Sequence, residues 1–154
     1  MIAQQISFVK ESLQAAMSAG AAFNMNPTVI LAQAAFESSW GTSVLATGSN
    51  NFFGLTAYGC SNEYWHGGKT RLESDNYALD FRRYDTRRNA FLDFARLIRN
   101  NYRIAWQASN NPEAYAREIA YSLYLNELKG DNREDYRHSL VENEKVVRAI
   151  MAMM

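Results

Sequence analysis

Residues 27–41, Pro-Thr-Val-Ile-Leu-Ala-Gln-Ala-Ala-Phe-Glu-Ser-Ser-Trp-Gly, constrain this chain more than any other stretch. Asn26 suits an N-cap and Pro27 the first helical position. Good helix formers follow, and Gly41 offers a stop. Between Val29 and Phe36 the one polar residue is Gln33, so a helix here is apolar nearly all round and belongs inside a core. Glu37 comes at its end. Its helical neighbours one and two turns back are Gln33, Ala34 and Ile30, and one turn ahead Trp40 and Gly41, mostly apolar or small. A carboxylate there is partly desolvated, and desolvation raises its pKa towards the range of a general acid at neutral pH. The helix alone leaves a second role open, in which Glu37 pairs with an arginine or caps a neighbouring helix.

The rest of the chain must supply the walls around this helix. At 154 residues, 47% hydrophobic and 13% aromatic, the chain suits one domain, residues 1–154, with a real core. Lys plus Arg and Asp plus Glu both number 16, which leaves no basic excess for displacing phosphate counterions and argues against a nucleic-acid partner. The single Cys60 excludes an internal disulfide and a thiolate zinc cluster, and His66 and His138 show no ligand spacing, so no metal or other cofactor is expected. Ile2, Ile6, Val9, Leu13 and Met17 around Lys10 and Glu11 read as an amphipathic helix and not as a signal peptide. No stretch approaches the roughly 20 apolar residues of a membrane span.

Taken in order, a first helix is expected to about Ala22, then a turn at Asn24 to Asn26 and the central helix antiparallel to the first. Residues 47–51, Thr-Gly-Ser-Asn-Asn, read as a loop, and Phe52 and Phe53 behind it suit a core plug. Between Ala57 and Asp80 the helical period disappears. Alternation at Thr70 and Leu72, and again at Tyr77, Leu79 and Phe81, predicts two short strands joined through Ser74, Asp75 and Asn76. Glu73 then sits near the hairpin tip, where an ordinary solvated carboxylate is the simplest reading. A helix is expected from about Arg87 to Asn100 behind a run of arginines that reads as a solvated face. Asn111-Pro112 opens another, with Leu123 and Leu128 among its apolar positions and Gly130 after its end. The last is expected to start at about Asn132, where Asn132 and Asp135 resemble a capping pair. The fold class is mainly α with one small β element.

Three segments in this order carry a family resemblance. Ala34-Ala35-Phe36-Glu37-Ser38-Ser39-Trp40-Gly41 resembles the Ala-x-x-Glu-Ser-x-Trp-Gly signature of the flagellar-muramidase-type N-acetylglucosaminidases, glycoside hydrolase family 73. Asn51-Phe52-Phe53-Gly54-Leu55 resembles the family's Asn-Leu-Phe-Gly-Ile segment, and Phe81-Arg82-Arg83-Tyr84-Asp85-Thr86 its Phe-Arg-x-Tyr-Asp-Ser stretch. The resemblance implies a lysozyme-like helical domain with a small β-hairpin lobe beside the active-site cleft. It also implies hydrolysis of the β-1,4 bond from N-acetylglucosamine to N-acetylmuramic acid in peptidoglycan.

On that resemblance Glu37 matches the general acid, and Glu73 is the best match to a hairpin carboxylate that activates water or stabilises the cation, with Asp75, Glu63 and Asp80 as alternatives. Tyr121 matches a tyrosine lining the cleft. Asn51, Phe53, Tyr58, Tyr64 and Trp65 become candidate substrate contacts, because aromatic faces stack on sugar rings. Thr56 departs from the lysine common after the Asn-x-Phe-Gly segment. Two other readings stay open: a lytic transglycosylase of the same fold working with one Glu, and a non-catalytic wall-binding module. The expected partners are peptidoglycan glycan strands and, for an antibacterial effector, an immunity protein inserting into the cleft. The expected place of action is the periplasm or cell wall, reached without a signal peptide through a dedicated delivery apparatus such as type VI secretion.

Overall fold

A computed structural model describes residues 2–125 and 130–154 of the chain. Its helices are α1 (Ala3–Phe23), α2 (Pro27–Ser38), α3 (Val44–Ser49), α4 (Arg87–Asn101), α5 (Arg103–Gln107), α6 (Pro112–Ala120) and α7 (Gly130–Ala152). A two-stranded hairpin, β1 (Lys69–Glu73) and β2 (Ala78–Arg82), lies between α3 and α4, and a 3-10 turn at Leu123–Leu125 follows α6. The mainly helical class with one small β lobe is as the periodicity predicts.

The Asn26 side chain accepts a hydrogen bond from the Thr28 amide at 3.0 Å, and Pro27 opens α2. Every residue from Val29 to Ala35 is buried, as a helix apolar on all sides requires. α1 and α7 pack on it, α4 packs on α1, and α6 packs on α7. The α1–α2 corner is tight, because a Cβ on Gly20 would come within 2.6 Å of the Met25 carbonyl oxygen. The polar exception, Gln33, is fully buried and accepts a hydrogen bond from the Tyr115 hydroxyl of α6 at 2.5 Å.

α2 stops earlier than its glycine suggests. Ser39 and Trp40 both take left-handed φ values of 51° and 56°. The Ser38 hydroxyl, donating to the Ala34 carbonyl at 2.6 Å and accepting from the Gly41 amide at 2.9 Å, closes the end. Trp40 therefore lies off the helix, edge-on to Phe8 at 5.9 Å.

Four other expectations need correction. The stretch read as a loop at 47–51 is largely helical, because Ser43 caps the Ala46 amide at 3.1 Å and starts α3, which ends in left-handed Asn50. The helix opened by Pro112 ends at Ala120, so Leu123 belongs to a separate 3-10 turn; Leu128 lies outside the described residues. Gly130 is the first residue of α7 and not a stop, which places Asn132 inside the helix rather than at its cap. The arginine run is no uniform solvated face, since Arg82 is buried in an ion pair with Asp93 at 2.6 Å. α5 was not anticipated at all, as five residues are too few for a periodic signal.

The hairpin register pairs Thr70 with Phe81, Leu72 with Leu79, and Glu73 with Ala78. Side chains alternate across a strand, so Leu72, Leu79 and Phe81 share one face, and Arg71, Glu73 and Asp80 the other.

Candidate active site

Glu37 occupies the last turn of α2, where the buried helix reaches the floor of a cleft of about 520 Å³. Phe53 to Thr56, Tyr58 and the hairpin residues Leu79 and Phe81 form one wall. Leu97 of α4, Tyr102 and the Leu123–Leu125 turn form the other. Among the described residues that line it, Glu37 is the one ionisable carboxylate.

Three features set its chemistry. The Tyr136 hydroxyl of α7 donates to Glu37 Oε1 at 3.0 Å, and the Tyr136 ring packs edge-on to Phe36 at 4.6 Å. Gly54, with φ at +65°, brings the backbone against the carboxyl, and a Cβ on it would sit 3.6 Å from Oε2. Burial pushes the Glu37 pKa up to about 7, partly opposed by the hydrogen bond from Tyr136. At neutral pH a large fraction of Glu37 therefore holds a proton that it can donate. Tyr124 lines the same cleft, and its buried hydroxyl has no hydrogen-bond partner among the described residues.

A buried polar network fixes the β-side wall. Asn51 donates to the carbonyls of Leu55 and Arg82 at 3.0 and 2.9 Å, and accepts from the amides of Phe53 and Leu55. Arg82 donates to the Thr56 carbonyl at 3.2 Å, the Tyr58 carbonyl at 2.7 Å and Asp93 at 2.6 Å, while its guanidinium lies 4.2 Å from the Trp65 ring centre. Burial alone would raise the Asp93 pKa. Hydrogen bonds from Tyr84, Arg82 and Arg96 outweigh that and hold it below the usual carboxylate range. The Phe-Arg-x-Tyr segment thus serves as an internal clamp, tying the cleft wall to α4.

The expected site residues divide accordingly. Glu37, Phe53 and Tyr58 meet in the cleft, with Phe53 as a buried floor stacked 3.9 Å from Phe94 and Tyr58 exposed at the mouth. Asn51 is buried and fully engaged with backbone, so it shapes the loop and offers nothing to a sugar. Trp65 is buried beneath Arg82, and Tyr64 packs edge-on to Phe23 at 6.0 Å; neither lines the cleft. Glu73 is exposed and pairs with Arg71 at 3.0 Å on the hairpin face opposite Leu79 and Phe81. Asp80 pairs with the same arginine, at 3.1 Å. Asp75 is exposed near the hairpin tip and Glu63 is exposed in the loop before β1; neither lines the cleft. Tyr121 is exposed, donates to Glu134, and borders a neighbouring depression instead of the Glu37 cleft. No three His, Cys, Asp or Glu side chains among the described residues gather as a metal site needs.

Sequence reasoning missed Tyr136, Tyr124 and Tyr102. Each looks like an ordinary core aromatic in its own helix or turn, and only the fold brings them to Glu37.

A family model described as mannosyl-glycoprotein endo-beta-N-acetylglucosaminidase matches residues 13–146. The peptidoglycan hydrolase FlgJ of Vibrio parahaemolyticus is 30% identical over 131 residues, which span 77% of this chain and 41% of that protein. The chain thus spans less than half the length of this relative. Among solved structures, the glycoside hydrolase domain of Salmonella typhimurium FlgJ superposes with a TM-score of 0.74 at 23% identity, covering 99% of this chain and 92% of that one. A type VI secretion system effector-immunity complex from Pseudomonas protegens gives a TM-score of 0.74 at 21% identity, covering 97% of this chain and 95% of its match. With the family model spanning most of its length and the fold shared with these domains, the chain belongs to the glucosaminidase family, glycoside hydrolase family 73.

Proposed function

We propose that the chain, as one catalytic unit, hydrolyses the β-1,4 bond between N-acetylglucosamine and N-acetylmuramic acid in peptidoglycan, with Glu37 as the general acid. The observation that carries this reading is a carboxyl at the floor of an open cleft, held by Tyr136 and with its pKa raised by burial to about 7. In the step itself, Glu37 gives its proton to the glycosidic oxygen as that bond breaks, and the sugar passes through an oxocarbenium-like state. Water then adds to the anomeric carbon and loses a proton. Membership of the glucosaminidase family supports this bond and this chemistry.

The group that receives water's proton is less closely tied to the cleft. Glu73 keeps its place as the hairpin candidate, but it acts only if the hairpin presents its other face to bound substrate. A specific observation therefore favours a second reading: a cleft whose described residues include a single carboxylate suits a lytic transglycosylase, in which the sugar's own hydroxyl closes on the anomeric carbon.

The proposed place of action is the cell wall or periplasm. Likeness to an effector-immunity complex supports an antibacterial role, with an immunity protein that enters the cleft past Tyr58 and Leu123 as the proposed partner.

Mass spectrometry of fragments released from purified peptidoglycan tests these readings. Reducing N-acetylglucosamine ends, lost in Glu37→Gln, are the expected result. Anhydro-muramic ends would establish the transglycosylase instead, and undiminished release by Glu37→Gln would overturn the role of Glu37. Glu73→Gln should lower the rate less than about threefold if the hairpin keeps its present face outward; a loss of a hundredfold or so would assign it the second carboxylate's work.

A further inference from the structure

The cleft continues past Leu123. A second depression of about 350 Å³ opens between the α4–α5 junction and the end of α6, and Tyr102 and Leu123 border both spaces. Its lining combines two kinds of group. Ile104, Tyr121 and Leu123 are 69%, 53% and 79% exposed, a concentration of large apolar side chains that marks a binding surface when it adjoins a site. Between them stand two opposite charges. Arg103 has no carboxylate partner among the described residues, and Glu118 has only a long contact of 3.8 Å with Arg117.

An N-acetylglucosamine ring is uncharged, so it can hydrogen-bond a guanidinium or a carboxylate but forms an ion pair with neither. The peptide stem carried by the lactyl ether of muramic acid fits both features. It has small apolar residues, a free carboxylate and, in its diamino acid, an ammonium group. Resting on the peptidoglycan reading above, we infer that this depression is a subsite for the peptide stem, with Arg103 taking a stem carboxylate, Glu118 the diamino acid's ammonium, and Ile104 and Leu123 the apolar side chains. Shared walls at Tyr102 and Leu123 let one substrate chain occupy the cleft with its glycan and the depression with its peptide.

The test compares two glycans, peptide-bearing strands and the same strands stripped of stems by an amidase, using kcat/KM from newly formed reducing ends. The wild type should favour peptide-bearing strands by about tenfold, roughly threefold from each of the two exposed charged contacts. Arg103→Ala and Glu118→Gln should each lower that ratio to about threefold and together bring it near one, chiefly through KM, and Arg103→Lys should restore part of it. Both positions are at the surface, and matched melting temperatures would show that the variants fold. Equal rates of the wild type on the two glycans, or a preference unchanged in both variants, would overturn the subsite and leave the hydrolase reading intact. Cleavage of neither glycan would overturn both.

Discussion

The Tyr136 hydroxyl donates to Glu37 Oε1 at 3.0 Å, across 99 residues of sequence and between two packed helices. This bond opposes the main influence on Glu37. Burial favours the neutral carboxyl, whereas a donated hydrogen bond favours the charged one, and burial prevails to leave the pKa at about 7. An acid that must be protonated to work loses activity as pH rises through its pKa. The rate on peptidoglycan should therefore be at full value near pH 5.5, half near 7, and fall about tenfold per pH unit beyond. A plateau extending beyond pH 9 would remove Glu37 from that role.

Tyr136→Phe deletes the bond and keeps the ring against Phe36. Without the donor, Glu37 should titrate higher, so the alkaline limb of the pH profile should move up. Its orientation is lost with the bond, and kcat should fall by roughly 10- to 100-fold, the worth of a hydrogen bond to a charged group. A pH profile measured beside wild type separates the two effects: a merely structural role would lower the rate without moving the limb.

Glu37 should also limit stability. Its pKa is raised from 4.5 in the unfolded chain to about 7 in the folded one, so the native state binds the proton more tightly. That contribution is complete below pH 4.5 and is lost as pH rises through 7. Glu37→Gln has no charge to bury and should be more stable than wild type at pH 8, by on the order of 1–3 kcal/mol, with the difference shrinking towards pH 5. Urea unfolding at the two pH values measures it.

Asp93→Asn should be strongly destabilising. Arg82 is buried, and removing its partner leaves an uncompensated charge, at a cost of about 3–5 kcal/mol. Because Arg82 also holds the Thr56 and Tyr58 carbonyls, turnover should fall at temperatures where the variant is still folded. A melting temperature within a degree or two of wild type would contradict the clamp.

How much of this was legible before folding follows from the range of each interaction. α2 with its Asn26 cap, the β1 and β2 strands, and the desolvation of Glu37 rest on periodicity and near neighbours, which a sequence displays directly. α3 was hidden because its threonine, glycine and serine are loop formers by composition, and a single cap at Ser43 reversed them.

The site divides along the same line. Residue order alone determined a buried, mostly apolar helix ending in an acid, with a hairpin lobe following it. Only the tertiary structure decided which groups reach that acid. It set Tyr136 and Tyr124 beside the cleft, turned the hairpin so that Leu79 and Phe81 face inward and Glu73 pairs with Arg71 outside, and sent Trp65 beneath Arg82. Tyr121 and Tyr124 show the reason: they lie three residues apart, the same chemistry one turn removed, and the packing of α6 and the Leu123–Leu125 turn directs one to the surface and the other into the cleft. Side-chain direction depends on long-range packing, and no local pattern encodes it.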